Sequence, residues 1–94
     1  MWYLYIIENK LGHFYTGITK NVAKRICEHQ AQGPKTAKAL KGKAPLTLKY
    51  SQLVGDHSTA LKMEIAVKKL SKIQKLAIIS GERKLNELLS SDKA

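Results

Sequence analysis

Ninety-four residues make one domain and leave little room for a second, and an apolar share of 44% describes a folding globular chain rather than a disordered tail. Seventeen Lys and Arg against seven Asp and Glu give a formal net charge of +10 and a pI near 9.9, the electrostatic footprint of a protein that meets a polyanion, with nucleic acid the first expectation. The single cysteine, Cys27, excludes an internal disulfide and a cysteine-based zinc site.

The first element, Trp2 to Ile7, is dense in β-branched and aromatic residues and reads as a strand. It is too short to cross a bilayer and no basic segment precedes it, so a cytoplasmic protein without membrane contact is expected. Glu8 to Gly12 carries turn chemistry, and His13 to Ile18 reads as a second, antiparallel strand. With the turn centred near Lys10, Tyr5 and Tyr15 would lie directly opposite each other on one face of the sheet. Opposed tyrosines are also ordinary sheet packing.

Thr19 or Asn21 can cap a helix running to about Ala31. Its core stripe would be Val22, Ala23 and Ile26, with Cys27 as a small packing residue. Arg25 and His29, four apart, occupy the neighbouring stripe at the edge of that core, while Lys24 and Glu28 face solvent. From Gln32 to Pro45 the chain becomes a basic, mobile loop carrying Lys35, Lys38, Lys41 and Lys43, with one short helical turn possible around Thr36 to Leu40. Such a loop is either a solvated surface or a direct contact for phosphates.

Leu46, Leu48 and Tyr50 alternate with polar residues and predict a third strand. Gly55 to Ser58 supplies a turn and cap. A helix follows from about Thr59 through Leu70, then continues or kinks at Ser71 into Lys72 to Ile79, and Gly81 ends it. Leu85, Leu88 and Leu89 suggest a short final helix before a ragged end at Ser90 to Ala94. The order is β-β-α-β-α-α: an α+β fold in which helices flank a three-stranded antiparallel sheet, with a domain over residues 1–80 and a short C-terminal helix and tail over 81–94.

Among the seven acidic residues Glu64 stands apart. Ala60, Met63, Ala66, Val67 and Leu70 form one apolar face of its helix, Leu61 and Ile65 a second, and Glu64 projects between them. Its carboxylate should be partly buried, which calls for a metal or a partner. Lys68, at the favourable i, i+4 spacing, is the simple alternative. No phosphate-cradling glycine loop, HExxH or paired-carboxylate signature is present.

The order of these features is more specific than any one of them. Leu4-Tyr5-Ile6, Tyr15-Thr16-Gly17-Ile18-Thr19, Arg25, His29 and then Ala60-Leu61-Lys62-Met63-Glu64 with Lys68-Lys69-Leu70-Ser71 resemble the GIY-YIG nuclease family over about residues 2 to 80. The likeness is closest to the small bacterial stand-alone, YhbQ-like members, which also carry a lysine-rich loop such as Lys38 to Lys43. Leu4 and Thr16 depart from the name-giving tripeptides, Ile18 stands where some relatives have a polar or basic residue, and Leu76 lies near the place of a downstream Asn.

The resemblance implies a metal-dependent DNA endonuclease. Glu64 would hold one Mg²⁺ (or Mn²⁺), and Arg25 would offset charge on the phosphate. Tyr5 or Tyr15 would activate the attacking water, its phenol lowered in pKa by the cation and Arg25, and His29 would orient a tyrosine or relay the proton. Lys24, Lys35, Lys38, Lys41, Lys43 and Lys68 would contact nucleic acid. With no room for a reading domain, target choice would rest on DNA shape, such as branched, nicked or distorted DNA. No small-molecule cofactor is expected, and the protein should act as a monomer or weak dimer. A non-catalytic or weakly catalytic nucleic-acid-binding module on the same scaffold is the alternative.

Overall fold

A computed structural model of the protein describes residues 1–85. Three strands form one antiparallel sheet in the order β2-β1-β3: β1 Trp2–Glu8, β2 Phe14–Thr19 and β3 Thr47–Gly55. Helix α1 (Val22–Gln30) lies between β2 and β3 in sequence, and α2 (His57–Lys68) and α3 (Lys72–Ser80) follow β3. The expected architecture and element order are those observed.

The central strand has both faces covered, so Leu4 to Ile7 are all buried. Leu4 and Ile6 point into a core built with Met63, Val67, Ile78 and Leu85. Tyr5 and Ile7 point the other way, into a smaller cluster with Leu40 and Leu46 that Tyr15, Ile26 and Ala37 complete. Leu85 therefore belongs to the first core, while Leu88, Leu89 and the rest of the expected final helix lie outside the described residues. No helix of the described residues is long and apolar enough to cross a membrane.

The hairpin corrects the expected register. Tyr5 pairs with Gly17 and Ile7 with Tyr15. The Asn9 side chain accepts the Leu11 and His13 amides at 2.9 and 3.1 Å, and the Asn9 amide donates to the His13 carbonyl. That closure centres the turn on Leu11, one residue later than expected, and moving the centre by one shifts every partner by two. Parity survives the shift, so the two tyrosines keep one face but sit diagonally.

Other differences are local. A bulge leaves Lys49 between the Ile6–Tyr50 and Ile7–Leu48 pairs, so Leu48 and Tyr50 fall on opposite faces, and Leu48 on this edge strand is 40% exposed. Helix α1, capped by Asn21 Oδ1 accepting the Lys24 amide, turns Val22, Arg25, Ile26 and His29 inward, leaving Ala23 and Cys27 exposed. The stripe expected at the margin of the core is its inward face. After α2 the chain breaks and restarts, because Ser71 and Gln74 form a capping box for α3, and Gly81 closes α3 at a left-handed φ of 88°.

The basic segment is not the free loop expected. Thr36, Leu40 and Leu46 are buried, and the only helical turn is Lys38–Leu40. The Lys10 amide donates to the Lys43 carbonyl, tying the segment to the hairpin turn as well.

Candidate active site

Tyr5 sits in the middle of β1 with 1% of its surface exposed, and its ring lies flat across Gly17 on the neighbouring strand. A β-carbon at Gly17 would stand 2.5 Å from the Tyr5 phenol oxygen and 2.6 Å from Cζ. Glycine is thus required here for close approach, since the space belongs to the tyrosine.

The phenol oxygen lies 2.9 Å from His29 Nε2, a pair sealed inside the protein. Tyr15 completes the arrangement, its ring centroid 5.8 Å from that of His29 and 6.3 Å from that of Tyr5. His29 is fully buried although it belongs to a polar helix, and burial followed by the nearby Arg25 charge holds its imidazole below the usual pKa. Its Nδ1 accepts the Ala37 backbone amide at 3.3 Å.

Burial pushes the Tyr5 phenol up to about 12, with Tyr15 and Glu64 adding to the rise and Arg25 opposing it. Arg25 acts in the expected direction, but in the protein alone it does not outweigh desolvation.

Arg25 is half-buried and already engaged. Its Nη1 donates to Glu28 Oε1 at 3.0 Å and to the Lys35 carbonyl at 2.8 Å. Lys35 Nζ lies 3.7 Å from the second Glu28 oxygen. Glu28, expected in solvent, is instead the hub of this cluster, and the Arg25 hydrogen bond holds its carboxyl below the ordinary range.

Glu64 comes from the opposite layer, on α2, between the exposed Leu61 and Ile65 and the buried Ala60, Met63 and Val67. Its side chain is 18% exposed, the partial burial its position implies, and Oε2 lies 3.5 Å from Lys68 Nζ. Its charge is felt at the Tyr5 phenol from across the sheet. Among the described residues no group of three His, Cys, Asp or Glu could enclose a metal.

The lysines separate into two sets. Lys35 and Lys68, themselves exposed, pair with Glu28 and Glu64, whereas the exposed Lys24, Lys38 and Lys41 and the partly buried Lys43 are in no ion pair among the described residues.

Residues 1–77 match the GIY-YIG catalytic domain. The chain belongs to the GIY-YIG family. A UPF0213 protein of Yersinia pestis (strain Pestoides F) is 47% identical over 92 residues, which span 98% of this chain and 95% of that protein. A UPF0213 protein of Yersinia pseudotuberculosis (serotype O:3, strain YPIII) is 48% identical over 85 residues, spanning 90% and 87%. The solution NMR structure of a UPF0213 protein from Bacillus halodurans superposes with a TM-score of 0.54 at 36% identity, covering 85% of this chain and 84% of that one. GIY-YIG membership makes this a nuclease-type domain, and gives the clustering of Tyr5, Tyr15, Arg25 and His29 a nucleic-acid context.

Three participants are not among the expected site residues: Gly17 as the bed of Tyr5, Glu28 as the partner of Arg25, and the Ala37 amide. Gly17 and Glu28 carried a signal, since a glycine inside a strand marks a close approach and Arg25 and Glu28 stand at i, i+3 on one helix. The Ala37 amide depends on where the chain returns after α1.

Proposed function

We propose that the protein is a metal-dependent endonuclease that hydrolyses phosphodiester bonds in DNA and selects its target by structure rather than by sequence. The observation that carries this reading is the sealed Tyr5–His29 pair at 2.9 Å, with the Arg25 charge acting on the same phenol and the partly buried Glu64 carboxylate on α2. That set supplies a proton acceptor, a fixed partner for it, a cation for the phosphate and a carboxylate for a metal.

One half-buried carboxylate without further acidic ligands suits a hard cation that keeps most of its waters and completes its shell with substrate phosphate, as Mg²⁺ or Mn²⁺ does. Such an ion, held by Glu64 in place of Lys68, would supply polarisation of the phosphate and stabilisation of the leaving oxygen. Arg25 exchanges Glu28 for a non-bridging phosphate oxygen and offsets the charge that builds during attack. Tyr5, as its phenolate, takes a proton from the attacking water as the water oxygen bonds to phosphorus and the P–O bond to the leaving oxygen breaks; the leaving oxygen takes its proton from solvent, and His29 orients Tyr5. A phenol at about 12 is neutral at physiological pH, so the positive charge gathered around bound substrate has to offset its burial.

The exposed Lys24, Lys38 and Lys41 and the net charge of +10 support DNA as the partner, held through its phosphates. This reading places the protein in the cytoplasm, in DNA repair or recombination, as a monomer or weak dimer.

A second reading, a nucleic-acid-binding module with little catalysis, is favoured by the ion pairs that occupy both Arg25 and Glu64 and by the raised Tyr5 phenol. Incubating wild type and Glu64→Ala with linear, nicked and branched DNA, in Mg²⁺ or EDTA, separates the two. Mg²⁺-dependent cleavage by wild type and binding without cleavage by the variant are expected. Binding without cleavage by both installs the binding module, and equal cleavage by both removes Glu64 from the chemistry.

A further inference from the structure

We propose that Gln32 and the backbone amide of Ala37 are positioning groups for Tyr5: Gln32 pins the basic segment so that the Ala37 N–H fixes His29 in the tautomer whose Nε2 proton is donated to the tyrosine.

Gln32 is the one non-glycine residue among those described with a left-handed backbone, at φ 56°. A residue of this kind persists there only when its surroundings hold it, because side chains of L-residues are strained in that conformation. The side chain provides that hold. Its Nε2 donates to the His29 carbonyl at 2.8 Å and to the Leu40 carbonyl at 3.2 Å, and its Oε1 accepts the Gly42 amide at 2.6 Å. One amide group therefore joins the end of α1 to the far side of the segment. Between these points the Thr36 hydroxyl donates to the Glu28 carbonyl at 2.9 Å, so the stretch from residue 36 to residue 42 is stitched along α1.

The stitching brings the Ala37 amide to His29 Nδ1. A neutral imidazole has one N–H, and a nitrogen that accepts cannot carry it. The proton must be on Nε2, and Nε2–H donates to the Tyr5 oxygen 2.9 Å away. The direction matters. In this tautomer the Tyr5 oxygen accepts, its own hydroxyl hydrogen is free for another acceptor, and a phenolate would keep its donor. In the other tautomer the Tyr5 hydrogen would be given to Nε2, and a phenolate would face a bare lone pair. The segment that presents Lys38 and Lys41 to solvent thus also sets the proton inventory of the buried tyrosine.

The hydrogen-bond assignment stands whether or not the protein cleaves DNA; only its kinetic consequence rests on the nuclease reading. The test is ¹⁵N NMR of histidine-labelled protein, which reports directly which ring nitrogen of His29 is protonated. Wild type should show the Nε2–H form alone. Gln32→Gly accepts the φ of 56° without strain and deletes all three side-chain bonds, and it should let an Nδ1–H population appear. Ala37→Pro removes the donor from the other end at a φ of −58°, which proline adopts, and should act in the same direction if the first variant folds poorly. Where cleavage is measurable, both variants should lower kcat by about tenfold or more with KM for DNA little changed. An Nδ1–H form in wild type overturns the proposal, as does an unchanged tautomer in the folded variants. Absence of cleavage in every protein would count against the nuclease reading and leave the tautomer result intact.

Discussion

The two faces of β1 are built from alternate residues of one strand and behave differently. Leu4 and Ile6 enter a core whose buried members are apolar except for Thr16, the β2 partner of Ile6, and which α2 and α3 close. Tyr5 and Ile7, one residue out of phase, enter a thinner layer where Tyr5 and His29 are buried together and α1 brings Arg25 to the same place. The first face supplies cohesion, and the second tolerates a buried hydrogen bond, a charged cluster and a left-handed glutamine. A seven-residue strand can therefore anchor a fold and carry a site at once, because its side chains alternate between layers.

Paired substitutions should separate the two roles most strongly. Tyr5→Phe should lower the cleavage rate by about 10²–10⁴-fold if Tyr5 handles the proton, while costing only about 1 kcal/mol of stability for a lost hydrogen bond. Leu4→Ala on the other face should cost about 2–5 kcal/mol in urea unfolding and reduce the rate only through the folded fraction. Equal stability losses with unchanged rates would erase the distinction between the faces.

A smaller effect is expected at the contact between β1 and β2. Gly17→Ala puts a methyl group where the Tyr5 hydroxyl lies, so Tyr5 must move away from His29, at a cost of about 1–3 kcal/mol and with slower cleavage. Gly33→Ala, with nothing within 4 Å of the new atom, is the control and should change neither quantity.

The smallest effect is a pH dependence confined to the polar face. His29 is held below its ordinary pKa, so the unfolded chain binds the proton first as pH falls. Its contribution to stability is complete above about 6.5 and is lost on acidification through the folded pKa. Urea midpoints measured from pH 7.5 to pH 5 should fall more steeply for wild type than for His29→Gln. Parallel curves would mean that His29 gains nothing from being neutral in the fold.

Most of the architecture was legible because it rests on local patterns. The apolar run at Trp2 to Ile7, the caps Asn21 and Asp56, and the terminating Gly81 each act within a few residues of themselves. The partial burial of Glu64 followed from helical periodicity, and so did its nearness to Lys68. The residues Tyr5, Tyr15, Arg25 and His29 could be named from the resemblance to the GIY-YIG pattern, and the fold does bring them together.

What spacing could not supply was depth and direction. The turn closed by Asn9 shifted the strand register by two, and the phase of α1 placed Arg25 and His29 on the inward face rather than beside it. Periodicity defines which residues share a stripe, but packing against the sheet decides which stripe faces in. The same holds for electrostatics: Arg25 lies near the phenol as expected, but burial sets the direction of the Tyr5 shift in the protein alone. By itself the sequence determined the elements, their order and the chemical identities at the site. Only the tertiary structure decided that Tyr5 lies on Gly17 and that the Ala37 amide, eight residues past His29, reaches that histidine, since each joins groups that no local rule connects.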